Sequence, residues 1–228
     1  MPRRPRPFAV LVALLLPLLL VGCASASPRT QPPVLGTDLL GPEQGERVAG
    51  YLTRASHTLP TTGEVWALVQ LGEPVDASTA AALTDGVRVS RVVYRVPLPR
   101  VQTALVTLPL PGQHPAVELR DAQLRAADER QRAGERAAAS GQGRAAGVAA
   151  AEAAELRAGC ACVLALLVRA DRAGLDTVAS RPPVRVIHGA TPGLPLQALA
   201  VSPLLPEQRD VVGPVPDDGP IPTPAASR

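Results

Sequence analysis

Few side chains in this sequence are equipped for chemistry: three Cys, three His and a small number of adjacent carboxylates. Cys160-Ala161-Cys162 is the most unusual arrangement among them. On an extended strand, residues i and i+2 share a face. Strand rise separates their Cα atoms by about 6.6 Å, near the upper limit for a disulfide. Gly159 immediately upstream lets the chain bend and shorten that distance. Four readings of the pair stay open: a structural or strained disulfide, two buried thiols, a redox-active dithiol, and a soft-metal site. A copper site usually wants additional Met or His, and the only Met here is the initiator.

His57, His114 and His188 stand at no ligand spacing from one another or from a Cys, and neither a His-Glu-x-x-His nor a Cys-x-x-Cys motif occurs. No Gly-x-Ser-x-Gly elbow presents a nucleophile. His188 closes an expected strand and reads as a satisfied or exposed histidine. Asp217-Asp218 falls in a Pro-rich tail and Asp128-Glu129 on a solvated helix, so neither pair has walls to shift a pKa. Gly141-x-Gly143-x-x-x-Gly147 follows no strand and reads as a helix break, not a phosphate loop. The sequence thus assigns no catalytic residue, no metal and no cofactor, and it points away from an enzyme.

The third cysteine has a different setting. Arg3, Arg4 and Arg6 precede an apolar run from Phe8 to Val21, interrupted only by Pro17. The run is shorter than the roughly 20 residues a bilayer span needs, and it suits the core of a signal peptide. It ends in Leu20-Val21-Gly22-Cys23, which resembles the lipobox of bacterial lipoproteins. That resemblance implies a signal peptide over 1–22, cleavage by signal peptidase II, and a diacylglycerol thioether on Cys23. Two readings compete: secretion with cleavage after Ala24 or Ala26, where Ala24-Ser25-Ala26 is a small-x-small site, and an uncleaved anchor. Two acyl chains hold a protein stably where one does not. Residues 23–42, small, polar and Pro-containing, then form a flexible tether on the extracytoplasmic face of the cell membrane. In that oxidising compartment a disulfide between Cys160 and Cys162 is favoured. Leu59-Pro60-Thr61-Thr62-Gly63 spells the sortase signal, but it lies mid-chain with no apolar helix and basic tail behind it. It reads as a turn.

Charge and aromatic content exclude a further class. The 228 residues carry 23 Arg, no Lys, and 20 Asp plus Glu. Loss of Arg3, Arg4 and Arg6 with the leader makes the remaining chain neutral. Nucleic-acid binding needs clustered positive charge and stacking rings. Beyond the leader only Tyr51, Trp66 and Tyr94 are aromatic, so the sequence argues against a nucleic-acid partner.

The elements around these residues follow from periodicity. Val48, Tyr51, Leu52 and Ala55 recur at helical spacing within 43–55. Glu64–Leu71 is apolar on both phases, as in a strand covered on both faces, and it takes Trp66 into the interior. Asp76 caps a short helix over 77–85 that Gly86 closes. A strand over 87–96 slips phase at Ser90-Arg91, as at a bulge, and a third strand spans 101–110. No Pro occurs from Ala116 to Arg181, and sixteen of the residues 116–158 are Ala. This predicts one long helix, or two broken at Ser140–Gly143, with Asp121–Arg125 and Asp128–Arg132 as i, i+4 pairs. With few large apolar residues, such a helix covers the sheet by one end only. The first pattern then returns: an apolar strand over 162–168, a helix capped by Asp171 over 172–180, and a strand over 184–187. Both halves end on a strand that opens Val-Arg-Val, at Val87 and at Val184.

Two βαβ-like units and a hairpin predict an α+β fold with a small mixed sheet. By element order alone it resembles the ferredoxin-like fold. The expected organisation is a single domain over 43–205 carrying the long helix at 116–158, followed by a disordered Pro-rich tail over 206–228. The functional expectation is a membrane-anchored, non-catalytic binding or regulatory module with an envelope protein partner. Its docking surface is the open sheet face or the Ala-rich helix, with Arg125 and Arg132. The alternative is an envelope thiol-redox protein using Cys160 and Cys162. The lipobox is checked by replacing its cysteine: Cys23→Ala should abolish palmitate labelling and leave precursor or released protein. A variant that still labels and stays attached would overturn the lipoprotein reading.

Overall fold

Two stretches that are apolar on both phases must be covered on both faces, and they become the centre of the main sheet. A computed structural model describes residues 38–112 and 114–222. The expected signal peptide, Cys23, the tether as far as residue 37 and the end from 223 lie outside the described residues. In order, the elements are β1 (Asp38–Leu40), α1 (Val48–Ser56), β2 (Val65–Val75), α2 (Ala77–Leu83), β3 (Arg88–Tyr94), β4 (Val106–Pro109), α3 (Pro115–Ala139), α4 (Gly143–Ala158), β5 (Val163–Ala170), α5 (Arg172–Ala179), β6 (Val184–Gly189) and β7 (Leu199–Val201).

The five-stranded sheet has the order β4-β3-β5-β2-β6, and every neighbouring pair in it is antiparallel. Each crossover skips one strand. β2-α2-β3 straddles β5, and β5-α5-β6 straddles β2, so the two βαβ units interlock as in the split arrangement of ferredoxin-like folds. The expected α+β fold is present, whereas the parallel neighbours expected from the crossovers are not, because the other unit supplies the strand between them. Parallel pairing is confined to β1 with β7. β4 and the α3–α4 hairpin are an insertion between β3 and β5. The bulge at Ser90 forms: Val89 pairs with Val168 and Arg91 with Leu167, leaving Ser90 unpaired between them. The third strand is shorter than expected, only Val106–Pro109.

One face of the sheet, with Ala67, Val69, Val92, Tyr94, Leu166 and Val168, packs under the helices through Leu83, Leu119, Leu156 and Leu175. Asp76 accepts from the Ser78 and Thr79 amides and Asp171 from the Gly174 amide, so both short helices start where their caps stand. Gly159 ends α4 in the left-handed region at φ 82°, open to glycine at little cost.

The break between α3 and α4 falls at Ser140–Gln142. Contrary to expectation, the pair is buried well beyond its sheet-proximal end. Small residues let the helices approach each other, and a Cβ on Gly134 would stand 3.4 Å from the Ala149 Cβ. Buried Glu152 of α4 accepts from Arg130 Nε at 2.7 Å and from the Ala104 amide at 2.6 Å. The expected pairs Asp121–Arg125 and Asp128–Arg132 do not form among the described residues; Asp128 reaches across the hairpin to Arg157 at 3.4 Å.

The opposite face is covered by the ends of the chain. Leu68, Val93, Ala165 and Leu167 pack against Leu40, Ala190 and Leu199, while Val48, Tyr51 and Ala55 of α1 enclose Leu204 and Val212. The expected tether therefore gives way to folded chain by Asp38. The expected disordered tail is instead held as far as Ile221: Val212 exchanges backbone bonds with Gly45 and Glu46, Gly219 donates to Arg100 O, and Ile221 packs on the helical side. Backbone amides and guanidinium groups, with Val212 and Ile221 as apolar contacts, hold a segment that lacks aromatic anchors. Trp66 is only half-buried, because it lies at the uncovered end of β2.

Polar side chains fasten this layer. Gln70 Nε2 donates to the Tyr51 hydroxyl at 2.5 Å, and Gln70 Oε1 accepts from the Leu204 amide at 2.7 Å. His188 Nδ1 accepts from the Gly41 amide at 3.0 Å, with the Tyr51 hydroxyl at 3.4 Å. Gly41 has φ 145°, and a Cβ there would stand 1.8 Å from Ser202 O. An accepting Nδ1 requires the neutral imidazole protonated on Nε2. Burial, reinforced by the Arg54 charge, pushes the His188 pKa below its ordinary 6.5. The unfolded chain then binds the extra proton, so stability is complete above pH 6.5 and falls as pH drops toward the lower folded value. Denaturant midpoints measured at pH 7.5 and pH 5 should fall more for the wild-type chain than for His188→Gln. Equal losses would assign the acid sensitivity to another group.

Candidate functional site

α4 ends at Gly159, and the chain turns directly into β5 through Cys160 and Cys162. Their Cα atoms are 5.3 Å apart with the sulfurs at bonding distance. The left-handed glycine brings the two residues closer than a straight strand would. Cys162 is fully buried and Cys160 half-buried. Gln123 of α3 donates through Nε2 to the Cys160 carbonyl at 3.1 Å and reaches the Cys160 sulfur at 3.6 Å. The Cys162 carbonyl accepts from the Arg95 amide at 2.9 Å. Gln123 also lines a cleft of about 290 Å³ between α2, α3 and the end of α4, with Arg120 and Arg157 on its walls. Gln123 thus links half-buried Cys160 to the wall of a polar recess that also holds Asp76, while Cys162 is sealed in the core.

Closing so small a loop removes little entropy from the unfolded chain, about 1.6 kcal/mol against about 3 for a 15-residue loop. The bond's effect is local: it sets the exit angle from α4 into β5.

The structure does not bring Arg125 and Arg132 to this pair. Both lie on α3, away from the hairpin seam. Arg125 Nη2 donates to the Pro109 carbonyl at 3.3 Å. Val117 and Leu124, seven residues apart and so on one stripe, are 62% and 46% exposed beside them. The sequence reading includes neither the recess nor this apolar stripe. Val117 and Leu124 have helical spacing, and only the fold shows that Leu124 also borders the recess beside the end of α4.

His188 is buried and holds the Gly41 amide, with the Tyr51 hydroxyl beside it. Asp217 and Asp218, expected in a disordered tail, are paired with Arg144 and Arg100. Those cations hold both carboxyls below the usual range. Among the described residues no three His, Cys, Asp or Glu side chains gather into a metal-holding group, and no helix is long and apolar enough to cross a membrane. Compared with known proteins, the chain matches no family model, no curated protein and no solved structure.

The oxidation state of the pair is directly measurable. Protein isolated without reductant should show a two-dalton deficit confined to the peptide carrying Cys160 and Cys162. Cys160→Ser with Cys162→Ser should lower stability by no more than about 2 kcal/mol. Two freely alkylated thiols would leave the packed-thiol reading instead.

Proposed function

We propose that this chain is an extracytoplasmic lipoprotein, anchored through Cys23, that works by binding an envelope protein partner and performs no chemistry of its own. The leader supports the location. The observation that carries the binding role is the outer face of α3. Val117 and Leu124 are two aliphatic side chains left largely in solvent along one stripe of α3, Leu124 at the lip of the recess that Arg157 also lines. Arg125 and Arg132 flank them, and aliphatic contacts bordered by guanidinium groups are a composition suited to an interface. The partner surface that matches is apolar with a carboxylate rim.

A second reading rests on half-buried Cys160, whose contact Gln123 lines the recess with Arg120 and Arg157: a dithiol that exchanges electrons with envelope thiols. The partner would then be held by a transient mixed disulfide instead of by α3.

One crosslinking experiment in intact cells separates the two. Photo-crosslinking from a benzoylphenylalanine placed at exposed Asp121 of α3 should give a discrete envelope adduct that weakens severalfold with Arg125→Glu and Arg132→Glu and persists in Cys160→Ser with Cys162→Ser. An adduct that needs the cysteines and ignores the arginines would establish the redox reading. Absence of any discrete adduct would overturn the contact role of α3.

A further inference from the structure

The uncovered end of the sheet carries an arrangement unrelated to α3 or to the cysteines. In the antiparallel register Arg88 of β3 stands directly opposite Arg169 of β5, and Arg169 stands opposite Trp66 of β2. Two like charges at directly opposed cross-strand positions destabilise a sheet. Most surface arginines here have an evident structural partner, yet Arg88 makes no ion pair or hydrogen bond among the described residues. Arg169 lies over the Trp66 ring, with its guanidinium carbon 5.5 Å from the centroid. Glu64 approaches only its Nε edge, at 3.3 Å, and the two Nη groups have no partner among the described residues. The guanidinium lies within cation–π range of the indole, and the Arg169 side chain remains 45% exposed.

These residues line a groove of about 490 Å³. Its far wall is the 191–197 segment, where Leu194, Pro195 and Leu196 present apolar surface. The wall is held in place: Arg91 donates to Leu196 O at 3.1 Å and to Leu199 O at 3.0 Å, and the Ala190 amide donates to Trp66 O at 2.7 Å. Asp38, the other carboxylate near the rim, accepts from the Thr191 amide at 2.8 Å. Two guanidinium groups thus meet two carboxylates here, Glu64 on the Nε edge of Arg169 and Asp38 held on the Thr191 amide, and neither carboxylate reaches Arg88 or the Nη fork of Arg169.

We propose that this groove is an oxyanion-binding site. A carboxylate or phosphate bridges Arg88 and the Nη fork of Arg169, and the apolar body that carries it rests on Leu194, Pro195 and Leu196. A planar fork matches the oxygens of such a group in bidentate geometry, and the anion turns a repulsive cross-strand pair into a bound one. The proposal stands apart from the α3 reading: it needs neither the anchor nor the protein partner. Two sources share this chemistry, a free organic carboxylate or phosphate ester and the headgroup of an anionic lipid.

Trp66 is the only Trp in the chain and sits in the groove, so its emission reports occupancy without a label. The full chain is placed in nanodiscs of neutral phosphatidylcholine and titrated with phenyl phosphate at constant ionic strength. A parallel preparation replaces part of the lipid with phosphatidylglycerol. A saturable change in Trp66 emission with phenyl phosphate supports a free ligand. A change produced only by phosphatidylglycerol supports the headgroup. Either response should weaken about tenfold in Arg88→Gln, the size expected for one charge-assisted bond, and tighten in Glu64→Gln, which removes the competing carboxylate. No saturable change in either arm, or a response of equal strength in Arg88→Gln, overturns the site. The α3 reading is untouched by that outcome, since Arg125→Glu and Arg132→Glu act on the other side of the sheet.

Discussion

The antiparallel pairing of Val65–Gln70 with Ala165–Ala170 is the contact on which the rest of the structure depends. Both segments are nearly all buried, so each must find cover above and below. Neither βαβ unit can provide that alone, because each brings one short helix and one outer strand. Interlocking solves it: the central strand of each unit lies between the two strands of the other, and both short helices fall on one face. The α3–α4 hairpin extends that layer past the sheet. The second face has no helix from either unit and is covered by the chain's own ends.

That second layer explains why a buried polar group sits in the middle of an otherwise apolar strand. Gln70 is fully buried, and an unpaired amide there would cost a few kcal/mol. It is satisfied on both sides, by Tyr51 from α1 and by the Leu204 amide from the returning chain. One residue of β2 thus specifies where both terminal segments lie. Apolar contact alone would tolerate sliding of β1 and α1 over the sheet. The pairing of His188 with Gly41 adds a second fixed point, and the glycine is required because the Ser202 carbonyl occupies the space a side chain would take.

Much of this was legible in the residues. Double-phase apolarity placed β2 and β5, Asp76 and Asp171 placed the starts of α2 and α5, and the phase slip at Ser90 marked the bulge. What was not legible depended on distant chain. Nothing local shows that β5 enters between β3 and β2, so the crossovers read as parallel neighbours. The tail from 206 is Pro-rich, lacks aromatic anchors and reads as disordered; as far as residue 222 it is held by Arg100, Gln102 and Arg144, more than 70 residues away, together with contacts of Val212 and Ile221. The cysteine pair was visible as a motif, but its recess needed α2 and α3. Trp66 read as buried because its strand is apolar on both phases, and only the extent of the covering layer shows that the cover stops short of it.

The exclusive use of Arg has a structural consequence that composition alone does not suggest. The terminal coil has few ladder partners for its carbonyls, and guanidinium groups supply them. Arg91 serves Leu196 and Leu199, Arg185 serves Leu205 and Gln208, and Arg181 closes the carbonyls of Ala82, Leu83 and Asp85 at the end of α2. Arg95, nearly buried, binds both oxygens of Glu207. A single ammonium on a flexible stem does not span two carbonyls with fixed geometry, so Lys is a poor substitute at these positions. Arginine on this sheet is thus mostly a fastener between β-strands and coil. Arg88 and Arg169 depart from that pattern: they stand at opposed positions on neighbouring strands, beside an indole and an apolar wall, and among the described residues only Glu64, on the Nε edge of Arg169, gives either of them an oxygen. The proposed oxyanion supplies the remainder, where Arg91 and Arg185 have carbonyls of the terminal coil.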